Sequence, residues 1–280
     1  MSAETSNLDW NTRAHQWVRR APEGAPNEAA REINNNLIEC AGIRPGDHVL
    51  DMASGTGEPS LSVAEIVGEE GSVVATDATE AMLVIAERRA TNMGLANFSI
   101  HVTPMEELPF EDNRFDAATC RFGLMHADDP VAGLGQTRRV LKSGGRAAFA
   151  VHGPRTQGSQ WWLVYDVAKE YFQKGADARA ARRQLYSGEG EAGTLFAEAG
   201  FKNIEEKMFA NLARHPIPAD RGGPGVWRPM LERGFSHLLA DLDESQLVAI
   251  DNCLEAAFAP FRDGNDYVLS AAQRITSGVK

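Results

Sequence analysis

The sequence is short of the features that mark secreted, membrane-spanning and nucleic-acid-binding proteins. Only three of its 280 residues are cysteines, Cys40, Cys120 and Cys253, and their scatter suits neither a metal site nor a disulfide framework. Basic residues number 28 against 39 acidic ones, and the formal net charge of -11 would repel a polyphosphate backbone. No stretch approaches eighteen uninterrupted apolar residues, and residues 1–20 hold no apolar signal segment. We therefore expect a cytoplasmic protein without membrane, nucleic-acid or metal partners, whose oligomeric state the sequence leaves open.

Short apolar runs alternate with longer stretches of helical period between Val49 and Phe149, which is typical of βαβ units and a parallel sheet. The strands predicted here are His48–Ala53, Ser72–Asp77, Phe98–Thr103, Phe115–Arg121 and Arg146–Val151. The helices predicted between them are Pro59–Val67, Thr79–Met93 and Pro130–Leu141, with the Thr79 side chain as the N-cap of the second. Two later strands are predicted at Phe201–Phe209 and Tyr267–Ile275. The pattern predicts an α/β fold with a doubly wound, mostly parallel sheet.

Two long segments, Pro154–Ser187 and His215–Gly264, interrupt this repeat. Each is longer than an ordinary loop and has a helical pattern of its own. We interpret them, together with the N-terminal segment, as a helical lid. The predicted organisation is an N-terminal segment over 1–42, a core over 43–153, an insertion over 154–192 and a C-terminal part of the sheet over 193–280 that holds the second insertion at about 215–264.

The stretch from Val49 to Pro59 leads from a buried strand through glycines into a helix. Because Gly55 and Gly57 have no Cβ, the chain can turn sharply there and a ligand can approach the peptide groups. The next strand ends at Asp77, twenty residues past Gly57, where a carboxylate can accept hydrogen bonds from both hydroxyls of a ribose. A glycine turn alone also suits a tight loop, but the two features together predict a nucleoside-containing cofactor.

Two residues separate this turn from that of NAD(P)-dependent oxidoreductases. Ser60 stands at the third glycine position of the G-x-G-x-x-G pattern. Asp51 lies directly before the turn, where a carboxylate suits a cationic cofactor and would repel the phosphates of a dinucleotide. Asp51 could equally cap amides of the turn. An oxidoreductase stays an alternative, as does a protein that binds a cofactor without transferring a group.

The segments Val49–Leu61, Val73–Met82, Met105–Phe122 and Arg139–Ala150 resemble the successive motifs of class I S-adenosylmethionine-dependent methyltransferases. They are most similar to the ubiquinone/menaquinone-biosynthesis C-methyltransferase family, over roughly residues 43–209. The resemblance implies a seven-stranded sheet whose last strand is antiparallel. It also implies S-adenosylmethionine as the cofactor and methyl transfer to a small molecule.

The resemblance further implies a set of cofactor-binding residues. It assigns the methionine part of the cofactor to Asp51, Ala53, Ser54, Gly55, Thr56 and Gly57, the ribose to Asp77, and the adenine side to Ala78, Met82, Met105 and Glu106. Pro104 and Met105 stand where the family has Asp or Asn followed by Ala, so Glu106 or a water would have to hold the adenine amino group. Trp17 is expected to close over the cofactor, as an N-terminal helix does in similar enzymes.

Four residues are candidates for roles near the reacting groups, and one of them is His15 in the N-terminal segment, a third candidate base after the two histidines that follow. His126 and His152 follow the fourth and fifth strands, and either could be a general base or a loop histidine that the backbone satisfies. Arg121 could bind the cofactor carboxylate bidentately or pair with Asp128 or Asp129.

Aromatic residues concentrate in the covering segments, namely Trp10, Trp161, Trp162, Tyr165, Trp227 and Phe235. They favour an apolar or aromatic acceptor, although each could simply be part of the lid's core. Arg179, Arg182 and Arg183 suit a solvated helix face or a contact with an acidic substrate group. We therefore predict a methyltransferase for a small, apolar or aromatic metabolite, with C- or O-methylation favoured.

Overall fold

The computed structural model describes residues 28–172 and 176–280, and these form two compact units. The first unit contains residues 28–151, 186–207 and 274–280. The second contains residues 208–273 and the described part of 152–185. Trp10, His15 and Trp17 lie outside the described residues.

The first unit opens with a helix and then alternates strands and helices up to its fifth strand. In chain order these elements are α1 Glu28–Ala41, β1 His48–Met52, α2 Ser60–Val67, β2 Ser72–Asp77, α3 Glu80–Asn92, β3 Phe98–Val102, β4 Phe115–Arg121, a short 3-10 turn at Leu124–His126, α4 Pro130–Val140 and β5 Leu141–His152. The five strands and three helices predicted between residues 48 and 152 are thus confirmed.

The rest of the chain contributes elements to both units. Its elements are α5 Gln160–Ala168, α6 Ala176–Arg183, α7 Glu191–Glu198, β6 Lys202–Pro216, α8 Pro224–Leu239, α9 Glu244–Phe258, a 3-10 turn at Ala259–Phe261, β7 Arg262–Asp263 and β8 Asp266–Val279. Helix α7 belongs to the first unit, whereas α5, α6, α8 and α9 belong to the second. None of the described helices is long and apolar enough to cross a membrane.

The strands form one sheet in the order β3-β2-β1-β4-β5-β8-β6, with β7 paired to β8 off this path. Strands β1 to β5 pair in parallel. The last strand, β8, is antiparallel to β7. It also runs opposite to β5, because Gly153 donates to Ala272 O and Lys280 donates to Gly145 O. The doubly wound, mostly parallel α/β fold predicted from the sequence is confirmed.

The parallel register of the central strands places their carboxyl ends side by side at one edge of the sheet. Met52 at the end of β1 is opposite Thr76 of β2 on one side and Cys120 of β4 on the other. The residues that follow in each strand therefore emerge at one edge of the sheet, where open α/β sheets bind ligands. The core beneath this edge is apolar, with Leu50, Met52, Phe115 and Phe149 all buried.

Four sequence predictions of local structure need correction, and one of them is the last strand, β8, which ends four residues later than predicted, at Val279. The side chain of Thr79 makes no capping hydrogen bond; instead its backbone N–H donates to Asp77 Oδ1. Strand β5 begins five residues earlier than predicted, because Leu141 already pairs with Phe115 across an irregular register. Strand β6 continues seven residues further than predicted, to Pro216.

The second unit has an aromatic core of its own. Trp161 stacks on Tyr165 with the ring centroids 5.2 Å apart. Trp227 is fully buried against Phe258 and Tyr267. The aromatic residues of the predicted insertions, Trp161, Trp162, Tyr165, Trp227 and Phe235, are all at least nine-tenths buried in this core. They therefore stabilise the second unit by packing against one another.

Candidate functional site

The turn that leaves β1 is held in a conformation that few side chains adopt. Ala53, Gly55 and Gly57 all have positive φ, at 49°, 55° and 105°. The Ser54 N–H donates to Thr76 O across 2.9 Å, which fixes the turn to the end of β2. A Cβ built on Gly55 would meet no atom within 4 Å, so a ligand has space beside this peptide. Thr56 and Ser54 are buried in the turn.

Asp77 is fastened to this turn by its carboxylate. Its Oδ2 accepts a hydrogen bond from Gly55 N at 2.9 Å, and its Oδ1 accepts one from Thr79 N at 2.8 Å. Burial raises the pKa of Asp77, while the two backbone hydrogen bonds favour the charged form. Each carboxylate oxygen has a second acceptor position, so the pair can still receive two hydroxyl groups.

Asp51 lies beneath the turn and is completely buried. Its two oxygens accept hydrogen bonds from Ser60 Oγ at 2.5 Å and Thr119 Oγ1 at 2.6 Å. Burial raises the pKa of Asp51 from 3.8 to about 7, and the two hydroxyl groups oppose this rise. Asp51 thus joins α2 and β4 through side-chain hydroxyls, and not through the turn amides that the sequence suggested as an alternative.

Ser60 and Thr119 are contributors that the sequence analysis did not identify as such. Ser60 was read only as a departure from a glycine pattern, yet it donates the shorter of the two hydrogen bonds to Asp51. Thr119 is separated from Asp51 by 68 residues and reaches it because β1 and β4 pair in register at this point.

A buried ion pair supports the turn from the side of α3. Arg89 donates to Thr56 O at 2.7 Å and to Glu58 Oε1 at 2.8 Å. The side chains of Arg89 and Glu58 are only 3% and 10% exposed, so little water competes for these contacts. Removing either charge would leave the other buried without its partner, which costs more than the pair contributes.

A buried amide on α1 continues this network. Asn34 Nδ2 donates to Glu58 Oε2 at 2.6 Å and to Ser62 Oγ at 2.9 Å. Asn34 Oδ1 accepts from Arg121 Nη1 at 2.8 Å. The helix before the core is therefore tied to the glycine turn, to α2 and to the end of β4. No local sequence pattern marks Asn34 or Arg89, because their partners are 24 to 87 residues away.

The end of β4 is the second strained point of this edge. Phe122 has a φ of 59°, outside the range that bulky residues prefer. A Cβ on Gly123 would lie 2.4 Å from Ala53 Cβ and 2.6 Å from Cys120 Sγ, so only glycine fits between the two strand ends. Such strain concentrates at functional sites.

Arg121 precedes this strained residue. Burial lowers its pKa, and the charges of Glu58 and Asp51 act against that shift. Its hydrogen-bond partner among the described residues is Asn34, whereas Asp129 accepts from Ala132 N at the start of α4. The predicted alternative, in which Arg121 pairs with Asp128 or Asp129, is therefore not what the structure contains.

The four residues assigned to the adenine side differ in their burial and in the elements that they contact. Ala78 is exposed, and Met82 is buried in α3. Met105 is buried against α4, where a Cβ on Gly133 would lie 2.8 Å from its Cγ. Glu106 Oε1 accepts from the backbone N–H groups of Asp128 and Asp129 at 2.9 and 3.2 Å, which joins the loop after β3 to the loop after β4.

The two candidate bases belong to different units. His126 is half-buried at the end of the 3-10 turn that follows β4. His152 lies in the second unit, where its Nε2 is 2.9 Å from Arg183 Nη1. Because a guanidinium only donates hydrogen bonds, this ring nitrogen of His152 must accept, and its lone pair is engaged.

Arg183 contacts the core of the second unit, with its guanidinium 4.8 Å from the ring centroid of Trp161. Arg182 is exposed and Arg183 is half-buried, so the predicted solvated helix face holds for Arg182 and only in part for Arg183. Across residues 28–172 and 176–280, no group of three or more His, Cys, Asp and Glu side chains is arranged to hold a metal ion.

Comparison with known proteins supplies independent findings. The chain matches the model of the ubiE/COQ5 methyltransferase family over residues 30–156. It is 43% identical over 131 residues to the ubiquinone/menaquinone biosynthesis C-methyltransferase of Teredinibacter turnerae, a match that covers 46% of this chain and 52% of the relative. The chain therefore spans about half the length of that relative.

A longer match is found with the ubiquinone/menaquinone biosynthesis C-methyltransferase of Shewanella sp. strain ANA-3. The identity is 31% over 197 residues, which cover 66% of this chain and 77% of the relative. Among solved structures, a protein of Bacillus halodurans C-125 superposes with a TM-score of 0.58 at 20% identity, covering 89% of this chain and 99% of the other. This last likeness concerns the fold alone.

Proposed function

The chain belongs to the ubiE/COQ5 methyltransferase family, and on this premise we propose that it transfers a methyl group from S-adenosylmethionine to a small apolar or aromatic acceptor. The observation that carries the proposal is the hydrogen bond from Gly55 N to Asp77 Oδ2. It joins the glycine turn and the carboxylate into one rigid cradle for a nucleoside that bears an amino acid. Family membership also removes the oxidoreductase alternative.

The residues of the turn fit the methionine part of this cofactor. The space beside Gly55 admits a ligand close to the backbone, and Ala53, Ser54, Thr56 and Gly57 complete the turn. Arg121 offers further N–H donors besides the one that Asn34 accepts, and a guanidinium suits a carboxylate. We assign these residues to the amino-acid end of the cofactor.

The nucleoside part is assigned to the edge between β2 and α4. Asp77 would accept the two ribose hydroxyls at the acceptor positions that Gly55 and Thr79 leave. Ala78, Met82 and Met105 would line the adenine. Glu106 has one oxygen engaged with two backbone amides, so its other oxygen would have to receive the adenine amino group. Trp17, proposed to close over the cofactor, lies outside the described residues.

Methyl transfer requires mainly that the methyl group and the acceptor atom be held in line. When bound, S-adenosylmethionine would supply an electrophilic methyl group on a positively charged sulfur, placed for in-line displacement by the acceptor atom. The protein's residues hold the two reactants and exclude water. Asp51 lies beneath the turn as a buried carboxyl whose negative form would attract the cationic cofactor without touching it, since both its oxygens are engaged by hydroxyls.

The acceptor is proposed from the relatives and from the second unit. The relatives named above are C-methyltransferases of ubiquinone and menaquinone biosynthesis, which favours a carbon atom of an aromatic ring. Only residues 152–156 of the second unit lie within the family match, so most of its aromatic core lies outside that match. For a hydroxyl acceptor, His126 is the favoured base, because the Nε2 lone pair of His152 is engaged by Arg183.

The three cysteines are free, which favours a location of the protein in a reducing cytosol.

The test uses the purified full chain. S-adenosylmethionine labelled in its methyl group is incubated with a panel of hydroxylated benzenes and naphthalenes, with and without prenyl tails, and label is followed into the acceptor. We expect transfer to at least one aromatic acceptor. Calorimetric titration with S-adenosylhomocysteine, with NAD as the control ligand, measures binding separately. Heat with NAD alone, or tight S-adenosylhomocysteine binding with no transfer to any acceptor, would contradict the proposal.

A further inference from the structure

Asn34 is a neutral side chain that joins two charged groups beside the glycine turn, Glu58 and Arg121. It is fully buried on α1, and both ends of its amide are engaged. The NH2 group donates to Glu58 and Ser62, and the carbonyl oxygen accepts from Arg121. A primary amide has two N–H donors and one acceptor oxygen, which lets Asn34 serve Glu58, Ser62 and Arg121 at once. The residue type at position 34 is therefore fitted to both partners.

The charges around Asn34 do not balance. Glu58 gives one oxygen to Arg89 and the other to Asn34, so its charge is shared between a guanidinium and an amide. Among the described residues, Arg121 lies within ion-pair distance of no carboxylate, and its hydrogen-bond partner is the neutral Asn34. A half-buried guanidinium whose hydrogen-bond partner is neutral is stabilised when an anion approaches it. Burial lowers the pKa of Arg121, and the charges of Glu58 and Asp51 oppose this shift only in part.

We propose that Asn34 is a positioning residue that aims the guanidinium of Arg121 at the carboxylate of the ligand's amino-acid part. The inference rests on the proposed function, since that function supplies the carboxylate. Asn34 fixes one N–H of the guanidinium and, through Glu58, fixes the turn on the other side of the same ligand. Arg121 thereby keeps its orientation without losing its charge to a protein carboxylate. The consequence is selectivity for a cofactor whose amino acid is intact.

The test compares two ligands by calorimetry on the full chain. One is S-adenosylhomocysteine, and the other is its decarboxylated analogue, in which a 3-aminopropyl group replaces the amino acid. The unaltered chain should bind the first at least about 10-fold more tightly, because a charge-assisted hydrogen bond is lost with the carboxylate. Arg121→Met should reduce this ratio to about 1 to 2.

Asn34→Leu should lower the same ratio to below about 3 while changing the affinity for the decarboxylated analogue less than about 3-fold. Asn35→Leu is the matched control, since Asn35 is exposed on the same helix and should keep the full ratio. If Asn34→Leu does not fold, as judged by circular dichroism, Asn34→Asp provides the measurement. Its new carboxyl would face Arg121 with one oxygen and share a proton with Glu58 through the other, so it would compete with the ligand for Arg121 and the ratio should again fall.

The outcomes separate the inference from the proposed function. If the unaltered chain binds neither ligand, the proposed function fails. If it binds both equally, or if the Asn34 variants weaken both ligands by the same factor, Asn34 has only a structural role and the inference fails while the proposed function stands. A ratio that falls selectively in the Asn34 and Arg121 variants supports the inference.

Discussion

At the scale of single residues, Asp77 has two tasks that a substitution can separate. Its carboxylate holds the turn through Gly55 N and Thr79 N and is proposed to receive the ribose hydroxyls. Asp77→Asn keeps one acceptor oxygen at the same position, whereas Asp77→Ala removes both. We expect Asp77→Ala to weaken S-adenosylhomocysteine binding by roughly 1–3 kcal/mol, and Asp77→Asn by less, in calorimetric titration. Unchanged affinity in the alanine variant would show that the ribose is bound elsewhere.

Asp51 predicts a pH dependence of stability. Because burial raises its folded pKa to about 7, the folded protein keeps this proton to a higher pH than the unfolded chain does. The stabilisation is therefore complete below about pH 4 and is lost as the pH rises towards 7, at no more than about 1.4 kcal/mol per pH unit. Asp51→Asn removes the titration, and its amide can still meet the hydroxyls of Ser60 and Thr119.

Urea denaturation of both proteins between pH 4 and pH 8 checks this expectation. The free energy of unfolding of the unaltered chain should fall relative to that of the Asp51→Asn variant up to about pH 7 and then stay level. Two curves that run parallel over the whole range would mean that the pKa of Asp51 is not raised.

His126 and His152 are expected to differ once an acceptor is known. For a hydroxyl acceptor, His126→Ala should lower kcat by about 100-fold, the usual contribution of a general base. His152→Ala should have a smaller effect, because the Nε2 atom of His152 accepts from Arg183. The rate is measured with labelled cofactor at several pH values. Loss confined to the His152 variant would reverse the assignment, and no loss in either would mean a reaction without a histidine base.

At the scale of elements, the contact between the ends of β1 and β4 depends on a missing side chain. Gly123 has no room for a Cβ, because Ala53 and Cys120 would lie within 2.6 Å of it. Gly123→Ala should therefore destabilise the protein by about 1–3 kcal/mol through overpacking and displace the glycine turn. Gly135→Ala in α4 is the control, since nothing lies within 4 Å of its added Cβ and alanine favours a helix by about 0.5–1 kcal/mol. Equal stability of the two variants in urea denaturation would contradict the close packing.

The bounds of the strands show which elements can be predicted from the sequence. Strands β1 to β4 were predicted within one residue at each end because each is an apolar run bounded by turn residues. The start of β5 was missed because the register with β4 shifts between Phe115 and Ala117. The end of β6 was missed because its last residues alternate only between exposed and half-buried side chains.

The sequence predicts those site residues that lie within one βαβ unit. It does not predict those that reach the site through contacts between residues far apart in the chain. The glycine turn and Asp77 come from one βαβ unit, so their spacing identified them. Asn34, Arg89 and Thr119 enter through contacts with residues 24 to 87 positions away, which no pattern in a single sequence encodes. Asp51 was predicted to lie at the turn, but its hydroxyl partners Ser60 and Thr119 follow only from the packing of α2 and β4.

At the scale of the whole molecule, the two units are proposed to have different roles, cofactor binding for the first and acceptor recognition for the second. The first unit contains the glycine turn, Asp77 and the Asn34 network, and it contains most of the family match. The second unit contains Trp161, Trp162 and Trp227 in a core of its own. The first unit therefore accounts for membership of the family, while the acceptor is expected to depend on residues that the family model does not cover.

One measurement tests the whole proposal most directly: a crystal structure of the full chain grown with S-adenosylhomocysteine. The ribose hydroxyls should lie within hydrogen-bond distance of Asp77, the amino-acid carboxylate within that distance of Arg121, and the adenine beside Met105. A ligand bound away from the turn between β1 and α2, or a well-ordered turn with no ligand at saturating concentration, would contradict the proposed site.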